Sequence, residues 1–272
     1  MAASRKFVGT QSADHGGSLA ADVRVRCIVC DARSLCMAHV DGDAAPRHRS
    51  PEPGVRSVVA GSGEPLFRAN TPMHSLYVVR SGLIKTCVRD SQGVEQVIGF
   101  HILGEIVGFD GIANGQHACA GISITDSEVC QLPMSSLTSL AESEPGLHRE
   151  INRLMARELA GRRLQLMLFR GRADQRVAWF LLDLAERTTS AAAPRTFLQL
   201  GMSRSDIGNM LGVQIETVSR ILRVLIGDGL IAVMGRRITL LDPAGLRALM
   251  RQPLREYVAG VRHTDRRTTR IC

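Results

Sequence analysis

The spacing of apolar residues changes near residue 145, and this change constrains the fold more than any other feature of the chain. Between residues 55 and 133, short apolar runs are separated by Gly82, Gly93, Gly104 and Gly115. Short strands joined by glycine turns are typical of an antiparallel roll or barrel. From residue 147 to residue 169 apolar residues recur at helical intervals, and no proline interrupts residues 148–170. The pattern therefore predicts a β-rich domain followed by one long helix of about 20 residues or more.

The apolar stripe of this predicted helix has two interpretations. It either packs within its own domain or forms a coiled-coil-like seam between two copies of the chain. We favour the seam, although Arg162 and Arg163 interrupt the apolar face. The candidate dimerisation residues are Ile151, Leu154, Met155, Leu159, Arg162 and Leu166.

A second helical segment, later in the chain, has the local signals of a helix-turn-helix. Ser203 followed by Asp206 is a helix-capping pattern, and Gly212 predicts the end of that short helix. A second helix is expected from about Ile215, with its buried side at Val218, Ile221, Leu222 and Leu225. Two strands, 231–233 and 238–240, are expected to form a hairpin behind it.

Polar residues occupy the other side of the second helix, as a DNA-reading helix requires. Arginine can donate two hydrogen bonds to guanine, and glutamate can accept one from cytosine. A basic hairpin tip beside such a helix suits phosphate contact. The alternative is an ordinary solvated helix face. The candidate DNA-contacting residues are Glu216, Thr217, Ser219, Arg220, Arg223 and Arg236.

Composition adds weaker constraints. A formal net charge of +8 favours polyanionic partners, but many basic proteins bind no nucleic acid. No window has the roughly 18 uninterrupted apolar residues of a membrane span, and residues 1–14 do not resemble a secretory signal. We therefore expect a cytoplasmic protein without a membrane partner. No Ser/His/Asp set, paired carboxylates or glycine-rich phosphate loop predicts an enzyme.

Three of the seven cysteines are clustered as Cys27-x2-Cys30-x5-Cys36. An odd number of cysteines in a chain of this length argues against a disulfide framework. Three thiolates on one short loop suit an iron-sulfur cluster, zinc or Cu(I). A cluster or a structural zinc site also needs a fourth ligand. The spacing alone favours a cluster over zinc and leaves unliganded thiols as a third interpretation.

With these motifs the chain resembles the oxygen-responsive FNR (fumarate and nitrate reduction regulator) branch of the CRP/FNR transcription factors. The similarity runs from about Cys27 to Thr239. It rests on the cysteine spacing and on residues 75–85 (SLYVVRSGLIK), 99–110 (GFHILGEIVGFD), 206–212 (DIGNMLG) and 216–220 (ETVSR).

The resemblance implies an α+β fold and a domain order. An N-terminal tail with the cysteine motif (1–52) would precede an antiparallel β-roll of the cyclic-nucleotide-binding, jelly-roll type (53–145). A dimerisation helix (146–171), a winged helix-turn-helix DNA-binding domain (172–250) and a basic tail (251–272) would follow.

The resemblance also implies a ligand set. Cys27, Cys30, Cys36 and Cys130 would bind one [4Fe-4S] cluster per subunit, because residues 129–133 (VCQLP) match the segment that carries the family's fourth cysteine. Cys119 is the rival fourth ligand. Residues 111–125 contain no arginine of the kind that binds a cyclic nucleotide in other members, so no cyclic nucleotide is expected.

As a function, the resemblance implies a homodimer that binds two-fold TTGAT-type promoter sites under anoxia. It would contact RNA polymerase, with residues 89–93 as the candidate contact, and would activate anaerobic-metabolism genes and repress some others. One departure is Arg162, where the family often has an acidic residue that opposes pairing. The alternatives are the same DNA-binding fold with zinc or thiol sensing, and an iron-sulfur electron carrier.

Overall fold

A computed structural model of the chain describes residues 56–143, 145–168, 171–188 and 197–251. The predicted tails 1–52 and 251–272 therefore lie almost wholly outside the described residues, and so do Cys27, Cys30, Cys36 and Cys272. The first part of the described chain is rich in strands, as expected. These strands are β1 (Arg56–Ala60), β2 (Pro65–Phe67), β3 (Ser75–Ser81), β4 (Ile84–Arg89), β5 (Glu95–His101), β6 (Ile106–Val107), β7 (Ala120–Ser123) and β8 (Ser127–Pro133).

The strands form two antiparallel sheets that enclose an apolar core. One sheet has the order β1-β8-β3-β6 and the other β2-β7-β4-β5. Phe67 and Ile84 of the second sheet pack with Val79, Val107 and Val129 of the first. The predicted antiparallel β-roll is confirmed.

Two helices follow the roll and cover the outer face of its first sheet. They are α1 (Met134–Ser143), which the sequence did not predict, and α2 (Pro145–Leu168), the expected long helix. Leu137 of α1 and Leu154 of α2 pack against Leu76, Val78 and Leu132. Side chains alternate across a strand, so Val78 faces the helices while its neighbour Val79 faces the interior of the roll.

The last part of the described chain is a winged helix-turn-helix. Its elements are α3 (Ala173–Thr188), β9 (Phe197–Gln199), α4 (Arg204–Leu211), α5 (Ile215–Gly227), β10 (Ile231–Met234), β11 (Arg237–Leu240) and α6 (Pro243–Arg251). The predicted hairpin β10–β11 gains β9 as a third strand, in the order β10-β11-β9. Neither β9 nor α6 was predicted. The boundaries proposed for the domains remain a prediction.

None of the helices in the described ranges is both long enough and apolar enough to cross a bilayer.

Candidate nucleic-acid interface and sensor cysteine

The two helices of the helix-turn-helix begin and end where the sequence predicts. The Ser203 hydroxyl accepts from the Asp206 N–H at 3.0 Å, and the Asp206 carboxylate accepts from the Ser203 N–H at 3.2 Å. This reciprocal capping box fixes the start of α4. Gly212 ends the helix at φ 64°, a left-handed conformation that favours glycine. The turn between the two helices therefore follows from local chemistry.

Gly208 allows the two helices to approach each other. A methyl group at its Cα would lie 2.6 Å from the carbonyl oxygen of Val213 and 3.4 Å from a methyl of Val218. Because a backbone carbonyl cannot move aside without shifting the turn, the position requires glycine. No local pattern in the sequence predicted this contact.

The Gly208→Ala substitution is therefore expected to destabilise the helix-turn-helix by about 1–3 kcal/mol, the usual cost of overpacking. Gly227→Ala is the matched control, because Gly227 also lies in a helix and a methyl group at its Cα would have nothing within 4 Å. The control is expected to be neutral or stabilising by up to about 1 kcal/mol. Urea unfolding of both variants measures the difference. Equal stabilities would show that the α4–α5 crossing is not tightly packed.

Helix α5 has one buried and one exposed side, as expected. Val218, Ile221, Leu222 and Leu225 are buried, whereas Glu216, Arg220 and Arg223 are exposed and Thr217 and Ser219 are half-buried. The Arg204 guanidinium donates to the Ser219 hydroxyl at 3.4 Å. Arg204 is exposed at the start of α4 and adds a basic group beside the predicted reading face. The sequence reasoning missed it, although it stands next to the predicted cap Ser203.

The tip of the hairpin carries two exposed arginines, Arg236 and Arg237. Gly235 makes the turn at φ 60°. Ile231 and Ile238 are buried on the inner side of the hairpin and fix it on the domain. Together with α5, the tip forms the candidate nucleic-acid interface.

Cys130 lies at the centre of the sheet that faces the helices. It pairs with Ser57 of β1 on one side and with Val78 of β3 on the other. Its half-buried side chain packs against the cluster that contains Leu154 of α2. A group held at this thiol would therefore act close to the long helix.

The other described cysteines have different surroundings. Cys119 is buried inside the roll, and its thiol and backbone N–H donate to the Asp110 carboxylate at 3.4 Å and 3.1 Å. Burial, together with that carboxylate, raises the pKa of Cys119. Burial also raises the pKa of the Cys87 thiol to about 11. A metal-binding thiol must lose its proton, so the raised pKa of each of these two thiols opposes metal binding.

No group of three or more metal-binding side chains occurs within residues 56–143, 145–168, 171–188 and 197–251. The predicted ligands Cys27, Cys30 and Cys36 lie outside these ranges, so the ligand set as a whole remains a prediction.

The candidate dimerisation residues divide between two roles. Ile151 and Leu154 pack on the roll within the same chain, so the intradomain interpretation accounts for them. Leu159 and Leu166 are exposed, at 53% and 67% of their surface, and Met155 is half-buried. These three residues remain candidates for a seam.

Arg162 is held within its own chain. Its Nε donates to Glu158 at 2.9 Å, Nη2 forms an ion pair with Glu158 at 2.8 Å, and a guanidinium N–H donates to the Ile98 carbonyl of β5. Because Glu158 offsets the charge of Arg162, any repulsion between two copies of this side chain across a seam would be weakened.

The two parts of the molecule match known domain families. Residues 58–144 match the cyclic nucleotide-binding domain, and residues 175–249 match the Crp-like helix-turn-helix domain. The fumarate and nitrate reduction regulatory protein of Salmonella typhimurium is 39% identical over 189 residues, which are 69% of this chain and 75% of that protein. The chain belongs to the FNR branch of the CRP/FNR family. As an FNR-type protein it is a DNA-binding transcription regulator, not an enzyme.

Two further relatives agree with this membership. The transcriptional regulatory protein btr of Bordetella pertussis is 38% identical over 192 residues, covering 70% of this chain and 79% of that protein. The solved structure of FixK2 from Bradyrhizobium japonicum is 30% identical with a TM-score of 0.67, covering 73% of this chain and 98% of that one. The β-roll and the winged helix-turn-helix of this FNR-type regulator are therefore the family's architecture.

Proposed function

We propose that this FNR-type regulator is a cytoplasmic, oxygen-responsive homodimer that binds two-fold TTGAT-type promoter sites under anoxia. The observation that carries the proposal is the position of Cys130. Its side chain packs in the cluster that joins the roll to α2, the helix proposed to pair two subunits. A change at this thiol is thereby coupled to the pairing helix.

Cys27, Cys30, Cys36 and Cys130 would hold one [4Fe-4S] cluster per subunit. A thiol at the edge of a packed cluster can be reached from outside the roll, unlike Cys119, so the donor chemistry of Cys130 fits the role. When bound, the cluster supplies an oxygen-labile link between the N-terminal cysteines and the sheet. The chain's own contribution is to place Cys130 against the apolar cluster that contains Leu154 of α2.

The proposed dimer seam follows the exposed side of α2. Met155, Leu159, Arg162 and Leu166 succeed one another at intervals of four, three and four residues, which is a heptad spacing. Burying the exposed surfaces of Leu159 and Leu166 would favour pairing. Arg162 would be the polar position in this seam, with its charge offset by Glu158.

Bases would be contacted by Glu216, Ser219 and Arg220. The remaining candidates would contact phosphates or help to orient the base-reading side chains; these are Thr217, Arg223 and Arg236. All six side chains are at least partly exposed. Two such surfaces, related by the two-fold axis of a dimer, match a two-fold site.

The proposed contact with RNA polymerase is the turn between β4 and β5. Through this contact the regulator would activate anaerobic-metabolism genes. At other promoters it would act as a repressor. Its residues 89–93 are exposed, and the Asp90 carboxylate accepts from the N–H groups of Gln92 and Val94 at 2.9 Å each. The turn therefore presents a fixed shape to a partner.

The test is anaerobic purification, followed by iron and sulfide analysis, sizing and DNA binding before and after exposure to air. We expect about four iron and four sulfide per chain and an anaerobic dimer, and we expect air to weaken both pairing and DNA binding. A colourless, metal-free protein whose DNA binding is insensitive to air would eliminate the sensor part of the proposal. Stoichiometric zinc in place of iron would support the zinc alternative.

A further inference from the structure

The DNA-binding domain is attached to the β-roll through an exposed strand edge. β5 is the last strand of the sheet β2-β7-β4-β5, so no strand among the described residues borders one side of its backbone. Asn209 of α4 occupies this side. Its Oδ1 accepts from the Val97 N–H at 2.5 Å, and its Nδ2 donates to the Glu95 carbonyl at 2.6 Å. One side-chain amide thus replaces the hydrogen bonds of a missing strand.

Further polar contacts surround this amide. The Gln96 side chain donates to the Asn209 carbonyl at 2.6 Å. The Lys85 ammonium lies 2.6 Å from the Glu95 carboxylate and 3.2 Å from the Asp206 carboxylate, and all three side chains are half-buried. Asp206 uses its other carboxylate oxygen for the capping box of α4. The residue that starts the helix therefore also binds it to the roll.

Apolar packing continues across the same boundary. Leu83, Val97 and Phe100 of the roll belong to one buried cluster with Ile207 and Met210 of α4. The contact between roll and DNA-binding domain is therefore a packed interface with directional hydrogen bonds at its edge.

This attachment leaves the candidate reading face accessible. Glu216, Arg220 and Arg223 are exposed, and none of the hydrogen bonds to β5 involves α5. An inhibitory contact would have to cover the reading face, and this one does not. The attached arrangement is therefore compatible with DNA binding.

We propose that Asn209 is a positioning residue that holds the DNA-binding domain on β5 and thereby sets the half-site spacing that the dimer selects. The inference rests on the proposed dimeric, DNA-bound function. Two reading surfaces fixed on a rigid dimer can both bind only when the half-sites lie at one separation. Loosely held surfaces accept several separations, but each binding event then costs more conformational entropy.

The test compares the anaerobically prepared wild-type dimer with its Asn209→Ala and Asn114→Ala variants. Asn114 lies exposed in a loop of the roll and is the matched control. Each protein is titrated with labelled duplexes that carry two TTGAT half-sites at the wild type's preferred separation, or at separations one and two base pairs longer or shorter. Measuring the complete profile separates altered positioning from a general loss of affinity.

Asn209→Ala is expected to weaken binding at the preferred separation by about tenfold, in line with the loss of two hydrogen bonds. It is also expected to flatten the separation profile, so that the ratio between preferred and shifted duplexes falls at least about threefold. Asn114→Ala should have the affinity and the separation profile of the wild type. An Asn209→Ala protein that binds more weakly but keeps the wild-type profile would overturn the inference, because a merely structural role predicts that result.

Gln96→Ala provides a second variant in case Asn209→Ala does not fold. Gln96 is exposed on the roll and lies outside the helix-turn-helix, and its loss removes one hydrogen bond to Asn209. Gln96→Ala should also flatten the separation profile, but less than Asn209→Ala does. An unchanged separation profile would count against the inference. If the wild-type dimer binds none of the duplexes, the proposed function itself is wrong, and the inference fails with it.

Discussion

The Cys130→Ala protein is expected to purify under anoxia without its iron and sulfide, and to bind promoter DNA at least about 100-fold more weakly than the wild type. Moving a two-state equilibrium from about 1% to about 99% active requires about 5.5 kcal/mol, so losing the link that supplies this energy leaves little active protein. Metal analysis and anaerobic DNA titration measure the two effects.

Two further cysteine variants make this result specific. Cys87→Ala is the control, because Cys87 is buried on β4 and is not among the proposed ligands. Cys119→Ala tests the rival ligand. Both proteins are expected to keep the cluster. A Cys130→Ala protein with full iron content, alongside a Cys119→Ala protein without iron, would reverse the assignment of the fourth ligand.

The Arg220→Ala protein is expected to lose about 1–3 kcal/mol of binding free energy per half-site and to lose preference at one base position. Arg220 is exposed on the reading side of α5, where a guanidinium can donate two hydrogen bonds to a guanine edge. Competition against a set of single-base variants of the half-site measures both quantities.

Arg236→Ala is the matched comparison. Arg236 lies at the tip of the β10–β11 hairpin and not on α5, and phosphate contacts carry no sequence information. Loss of Arg236 should weaken binding to all DNA sequences about equally. It should also reduce the salt dependence of binding by about one ion per subunit. If Arg220→Ala also weakened all sequences equally, its proposed role in base reading would be wrong.

The sequence predicted the helix-turn-helix well because its signals are local. The Ser203–Asp206 cap, the Gly212 turn and the apolar spacing in α5 each act over a few residues. The same holds for the strands of the roll and for α2. Short or weakly patterned elements were missed: β9 has three residues, and its place depends on pairing with β11 and on burying Leu198 in the core of the domain.

The candidate sites were predicted less evenly. Exposure on α5 followed from its periodicity, whereas the environments of Cys119 and Cys130 did not. Both lie in β-rich sequence, yet one thiol donates to Asp110 inside the roll and the other packs beside Leu154. The environment of each cysteine depends on how the strands and loops of the roll pack together.

The amino-acid sequence by itself determined the main strands and helices and the exposed side of α5, because capping, turn chemistry and periodicity are properties of neighbouring residues. Its motifs also indicated the family. The tertiary structure alone decided that Arg162 pairs with the Ile98 carbonyl and that Asn209 completes the edge of β5. These partners lie 64 and 112 residues away along the chain. No local pattern encodes such a contact, because it forms only when packed elements bring the two groups together.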